Sequence, residues 1–84
     1  MFLHVVSARP LRDYALRLEF TDGAVVDIDL SDELHGEMFE PLRDPNVFAQ
    51  VTVNPETGTV EWPNGADFAP EFLRTAGREV QRVA

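Results

Sequence analysis

The sequence predicts a small α+β fold: an antiparallel sheet built from two hairpins and an N-terminal strand, with short helices and a C-terminal amphipathic helix packed on one face. Three observations lead there. Apolar and polar residues alternate on both sides of Asp22-Gly23, a second pair of short apolar segments brackets Pro55-Glu56-Thr57-Gly58, and apolar residues from Phe68 onward recur at three- and four-residue spacing.

Leu3 to Ala8 is apolar and rich in Val, and reads as a first strand ending before Pro10. Next, Tyr14, Leu16, Leu18 and Phe20 alternate with Ala15, Arg17 and Glu19, while Val26, Ile28 and Leu30 alternate with Val25, Asp27 and Asp29. Parity then restricts the turn. A two-residue Asp22-Gly23 loop would set Leu18 opposite Asp27, placing the apolar sets on opposite faces. A three-residue loop, Thr21-Asp22-Gly23 with Gly in the left-handed conformation, instead pairs Phe20 with Ala24, Leu18 with Val26, Leu16 with Ile28, and Arg17 with Asp27 on the outer face.

Ser31 before Asp32 and Glu33 resembles a helix start, with a capping hydroxyl and acidic residues in the first turn, and Gly36 keeps that helix short. Asp44-Pro45 reads as the cap and first position of a second short helix carrying Val47 and Phe48 inward. Val51-Thr52-Val53 and Thr59-Val60-Glu61-Trp62 form the second hairpin. In the last segment Phe72, Leu73, Ala76, Val80 and Val83 would share one face of a helix interrupted near Gly77.

With 84 residues the chain has room for one domain, read here as residues 1–84, and 44% hydrophobic content suffices for one core. No Cys is present, which excludes disulfides, thiolate metal sites and a Cys nucleophile. The first residues lack the basic flank and long apolar run of a signal peptide, and no segment is long enough to cross a bilayer, so the expected location is cytoplasmic, without membrane contact. Fifteen acidic residues against seven Arg give a formal net charge of −8, which repels phosphate backbones and disfavours nucleic acid as a partner of this domain.

The acidic hairpin with Asp22, Asp27, Asp29, Asp32 and Glu33 is the densest anionic text. Asp27 and Asp29 share a strand face about 6 to 7 Å apart, yet no calcium-loop spacing follows, so neither a metal nor a cofactor is expected. His4 and His35 are far apart in sequence and outside zinc spacings, and Ser7 and Ser31 lack nucleophile-elbow glycines. No catalytic residue is assigned.

Two segments stand out as partner-binding candidates. In Trp62-Pro63-Asn64-Gly65-Ala66-Asp67, Asn64 and Asp67 could flank an aromatic recognition edge; the alternative is a core Trp62, a turn with positive backbone angles at Asn64-Gly65, and Asp67 capping the last helix. Arg74, Arg78 and Arg82 recur every four residues and would form a basic stripe on that helix, either docking an acidic partner or complementing the helix dipole.

The order and spacing of Asp22-Gly23 between two strands, Asp29-Leu30-Ser31, Phe39-Glu40-Pro41-Leu42, Asp44-Pro45 through Phe48, and Trp62-Pro63-Asn64-Gly65-Ala66-Asp67 resemble the bacterial domain of unknown function 2442 family over nearly the whole chain. The resemblance implies a small α+β domain, like the amino-terminal part of an uncharacterised bacterial protein that continues into a helix-turn-helix, a segment this sequence does not contain. It implies no activity and no catalytic residues. Family members look like neighbours of a second small protein in pairs suggestive of toxin and antitoxin.

The expected function is therefore a binding or regulatory module acting through another small protein. A metal- or small-molecule-binding protein or enzyme using the acidic hairpin is the alternative, and a DNA-linked regulator is the third. A homodimer through the free hairpin edge is left open.

Overall fold

The computed structural model describes residues 2–80. Strands β1 (Val5–Pro10), β2 (Ala15–Phe20) and β3 (Val25–Asp29) come first. Single 3-10 turns at Ser31–Glu33 and Glu40–Arg43 lead into helix α1 (Pro45–Phe48). Strands β4 (Thr52–Asn54) and β5 (Thr59–Glu61), helix α2 (Pro70–Ala76) and strand β6 (Arg78–Glu79) follow. The main sheet runs β1-β2-β3-β6, and every pairing in it is antiparallel.

The first hairpin takes the register that parity demands. Leu16 pairs with Ile28, Leu18 with Val26 and Arg17 with Asp27, and the Phe20 amide donates to the Ala24 carbonyl at 3.0 Å. Gly23 has φ +86°, and Asp22 Oδ1 accepts from the Ala24 amide at 3.0 Å, closing the three-residue loop. β1 is displaced from its expected span, beginning at Val5 and reaching Pro10. An edge strand tolerates a terminal Pro because the missing N–H costs no ladder bond on the open side. A register shift between Val5 and Ser7 leaves Val6 54% exposed.

Leu16, Leu18, Phe20, Val26 and Ile28 form the buried inner face, and Leu30, Leu34, Leu42, Phe48, Val60, Trp62 and Leu73 close over it in the same cluster. Of the two readings of Trp62, the structure takes the core one. Its indole is 2% exposed, donates from Nε1 to the Phe48 carbonyl at 2.9 Å, and lies 5.5 Å from the Phe48 ring and 5.9 Å from Phe68. Phe72 packs from the margin, stacked on Phe68 at 5.7 Å. Tyr14 meets Phe48 edge-on and donates its hydroxyl to the Arg43 carbonyl, joining the first turn of the sheet to the helical segment.

Asp44 caps α1 as expected, accepting from the Asn46 amide at 2.9 Å. Ser31 does not cap. Leu30 occupies that position, the Ser31 amide donates to Asp29 Oδ1 at 2.9 Å, and the Glu33 amide closes the three-residue turn on the Leu30 carbonyl at 2.9 Å. The second hairpin turns through an Asn54 side chain bonded to the Glu56 amide and a Gly58 amide bonded to the Asn54 carbonyl. β4 and β5 form a separate two-stranded sheet, not a continuation of the first, and the Val5 amide reaches the Gly58 carbonyl at 2.8 Å to join them.

The expected continuous C-terminal helix is corrected at Gly77. Helix α2 ends at Ala76, Gly77 is extended (φ −80°, ψ 171°), and β6 pairs Arg78 with Asp27 and Glu79 with Val26. The Val80 amide extends this to the Val25 carbonyl at 2.7 Å. Had the helix continued, the outer N–H and C=O groups of β3 would be left without strand partners. Val83 and Arg82 lie outside the described residues. Asp67 is not the cap of α2 either: Ala69 holds that position, with Pro70 at the first helical site, and Asp67 instead forms a bridge to Glu61.

Candidate partner-binding surface

Because the helices bury their apolar residues against one side of the sheet, its other side stays open. Ser7, Arg9, Glu19, Asp29 and Arg78 are exposed there, with Arg17, Val25 and Asp27 half-buried between them. Strand pairing sets four charged residues in one row: Arg9 opposite Arg17, Arg17 opposite Asp27, and Asp27 opposite Arg78. Neighbours in such a row are about 5 Å apart at the backbone, so Arg9 and Arg78 stand about 14 Å apart at its ends. Arg12, in the turn after β1, borders a shallow depression with Asp27, Asp29 and Arg78.

Within the row only the centre is joined by hydrogen bonds, although Arg9 and Arg12 also act on Asp27 from a distance. Arg17 donates from Nε to Asp27 Oδ1 at 2.8 Å and from its terminal nitrogen to Oδ2 at 2.9 Å, a two-pronged geometry that holds the Asp27 carboxyl below the ordinary range and raises the guanidinium above its own. The Ser31 amide lowers Asp29 in the same sense, and the Ala24 amide followed by Arg74 lowers Asp22. Arg9, Arg12 and Arg78 form no side-chain hydrogen bond or salt bridge to a described residue.

A pH dependence follows. Each lowered carboxyl contributes stability that is fully present above its unfolded value of about 3.9 and is lost as pH falls through the lower folded value. Urea midpoints should therefore hold from neutral pH down to about 5 and fall below about 4. The Asp27→Asn variant should show a shallower decline, and an identical decline would show that the Arg17 pair contributes nothing.

Of the six residues singled out by sequence, the five that are described do not converge. Trp62 is buried and has no surface to offer, so it supports the loop above it. Asn64 is exposed and staples that loop, donating from Nδ2 to the Met38 carbonyl at 2.8 Å while its Oδ1 accepts from the Ala66 amide at 3.1 Å. Gly65 alone supplies the positive backbone angle, φ +88°. Asp67 is exposed beside it. Arg74 faces the other way, linking the first hairpin turn to β6 through Asp22 at 3.1 Å and Glu79 at 2.9 Å. The four-residue stripe is broken at Gly77, since Arg74 is on α2 and Arg78 on β6; Arg82 is outside the described residues.

With this geometry in place, comparison with family models places residues 5–79 in the protein of unknown function DUF2442. The chain belongs to the DUF2442 family. No curated protein and no solved structure matches it.

In this DUF2442 chain the acidic hairpin is not a convergent site. Asp27 turns to Arg17, Asp29 to Ser31, and Asp22 to Ala24 and Arg74, and no three His, Asp or Glu gather in metal-holding geometry among the described residues. His4 stacks against exposed Phe2 at 6.4 Å, and His35 is exposed elsewhere. Among the described residues no helix is long and apolar enough to cross a membrane. The residues the sequence reading missed are Arg9, Arg12 and Arg17. Parity had already put Arg17 on the outer face, and extending it to β1 would have added Arg9; only the β6 pairing brings Arg78 alongside.

Proposed function

We propose that this DUF2442 protein is a cytoplasmic binding module that works through a small protein partner, in a pairing of the toxin and antitoxin kind. The observation that carries this is the sheet face left open by its own helices, with charged side chains across four strands. A solvated sheet face is ordinary in itself. Arg9 directly opposite Arg17 is less so: Asp27 takes up the charge of Arg17, and Arg9 is left at the end of the row with no hydrogen-bonded carboxylate among the described residues. A carboxylate from outside the chain would give Arg9 such a partner. The resemblance to a family whose members neighbour a second small protein supports the same reading.

The test is co-expression with the proteins encoded on either side of its gene, followed by size-exclusion chromatography with light scattering. The expected result is a complex of defined stoichiometry at micromolar concentration. Two proteins that elute separately and show no heat of mixing would overturn the proposal.

A further inference from the structure

We infer that the open sheet face recognises an acidic protein surface, whose carboxylates pair with Arg9 at one end of the row and with Arg78 and Arg12 at the other. This rests on the binding-module reading and specifies its partner. Charge is unevenly distributed over the chain. Four of the seven Arg, namely Arg9, Arg12, Arg17 and Arg78, lie on or beside this face, against three of the fifteen acidic residues, Glu19, Asp27 and Asp29. The face thus concentrates guanidinium groups on a chain of net charge −8. At short range these guanidinium groups favour the approach of carboxylates on this side over the more acidic remainder of the chain.

The arrangement discriminates between anions. Arg17 is already occupied by both oxygens of Asp27, and Asp29 lies next to the depression that Arg12 and Arg78 border. A nucleic-acid backbone carries closely spaced phosphates and would lay some of them against those carboxylates. A protein surface can place carboxylates about 14 Å apart, over the two ends only, and leave the paired centre untouched. Guanidinium groups that hold no hydrogen-bonded partner, though Arg9 and Arg12 feel the charges of Asp27 and Asp29 from a distance, can still take up a two-pronged carboxylate.

The test follows amide chemical shifts of the full chain during titration with a helical peptide bearing one row of glutamates, with its glutamine counterpart, and with a single-stranded oligonucleotide of similar length. The glutamate peptide should move the amides of Arg9, Arg12, Arg17 and Arg78, weaken as salt rises, and bind about tenfold less well to the Arg9→Glu/Arg78→Glu variant. The spectrum itself reports whether that variant is folded, and Arg9→Gln/Arg78→Gln gives an intermediate loss. Arg74→Gln, on the other side of the sheet, should leave the affinity unchanged. No shifts, shifts elsewhere, or equal response to the glutamine peptide would overturn the inference. Tighter binding of the oligonucleotide at the same amides would replace the protein partner with nucleic acid. If the co-expressed neighbour forms a complex whose salt response ignores Arg9→Glu/Arg78→Glu, the acidic-surface inference fails and the binding-module reading stands. If there is no complex, the module reading fails by itself.

Discussion

Replacing Trp62 with Ala is expected to lower the unfolding free energy by about 3 to 5 kcal/mol, the range for truncating a large buried aromatic. Three losses coincide at this position. The indole leaves a cavity between Phe48 and Phe68, whose rings it contacts at 5.5 and 5.9 Å. The Phe48 carbonyl loses its Nε1 donor and stays buried. Trp62 also anchors both ends of the Pro63–Ala66 loop through its amide and carbonyl, and a smaller side chain leaves that loop without a fixed base. A domain of ordinary stability, about 5 to 15 kcal/mol, keeps little margin after such a loss. Urea denaturation of Trp62→Ala beside Trp62→Phe separates the contributions, since Phe restores ring contacts without the donor. A loss under about 1 kcal/mol for Ala would mean that the indole is not packed as described.

Gly77→Ala is the second large effect, with an expected loss of about 3 kcal/mol, at the upper end for overpacking. The reason is space. A Cβ at Gly77 would sit 2.0 Å from Val26 Cγ1, with the Leu73 carbonyl oxygen at 3.0 Å and the Asp27 carbonyl oxygen at 3.2 Å. Two of the three obstacles are backbone, so relaxation has to move the end of α2 or the pairing of β6 with β3. Hydrogen exchange should show protection lost first at Arg78 and Val80, whose amides face β3. The double variant Gly77→Ala/Val26→Ala should recover part of the loss by removing the methyl that clashes. Unchanged stability in Gly77→Ala would show that the helix can continue through this position, and with it would return the helical Arg74-Arg78 stripe.

Much of the fold was legible because its signals are local. Alternation around Asp22-Gly23, together with the rule that both apolar sets share a face, leads to the three-residue loop, the Leu18–Val26 register and the Arg17–Asp27 pair, all of which the structure contains. Asp44-Pro45 likewise announces α1 through chemistry confined to three residues. Ser31 and Asp67 carry equally good capping signals, and both were outcompeted: Asp29 already held the Ser31 amide, and Ala69-Pro70 started α2 beyond the reach of Asp67. Capping preference says that a side chain can accept an N–H group, and only the neighbouring chain decides which group is free.

By itself, then, the sequence determined the α+β class, the first hairpin with its parity and membership of the DUF2442 family, and it left Trp62 between the core and a recognition edge until the structure placed it in the core. Tertiary structure alone decided that the second hairpin forms its own sheet, that the chain leaves the helix at Gly77, and that Arg78 joins Arg9 and Arg17 across one face instead of following Arg74 along a helix. The difference is one of range. Side-chain period is a property of consecutive residues, whereas the strand at Arg78–Glu79 exists because β3, some fifty residues earlier in the chain, presents backbone groups that need partners, a demand that no local pattern records.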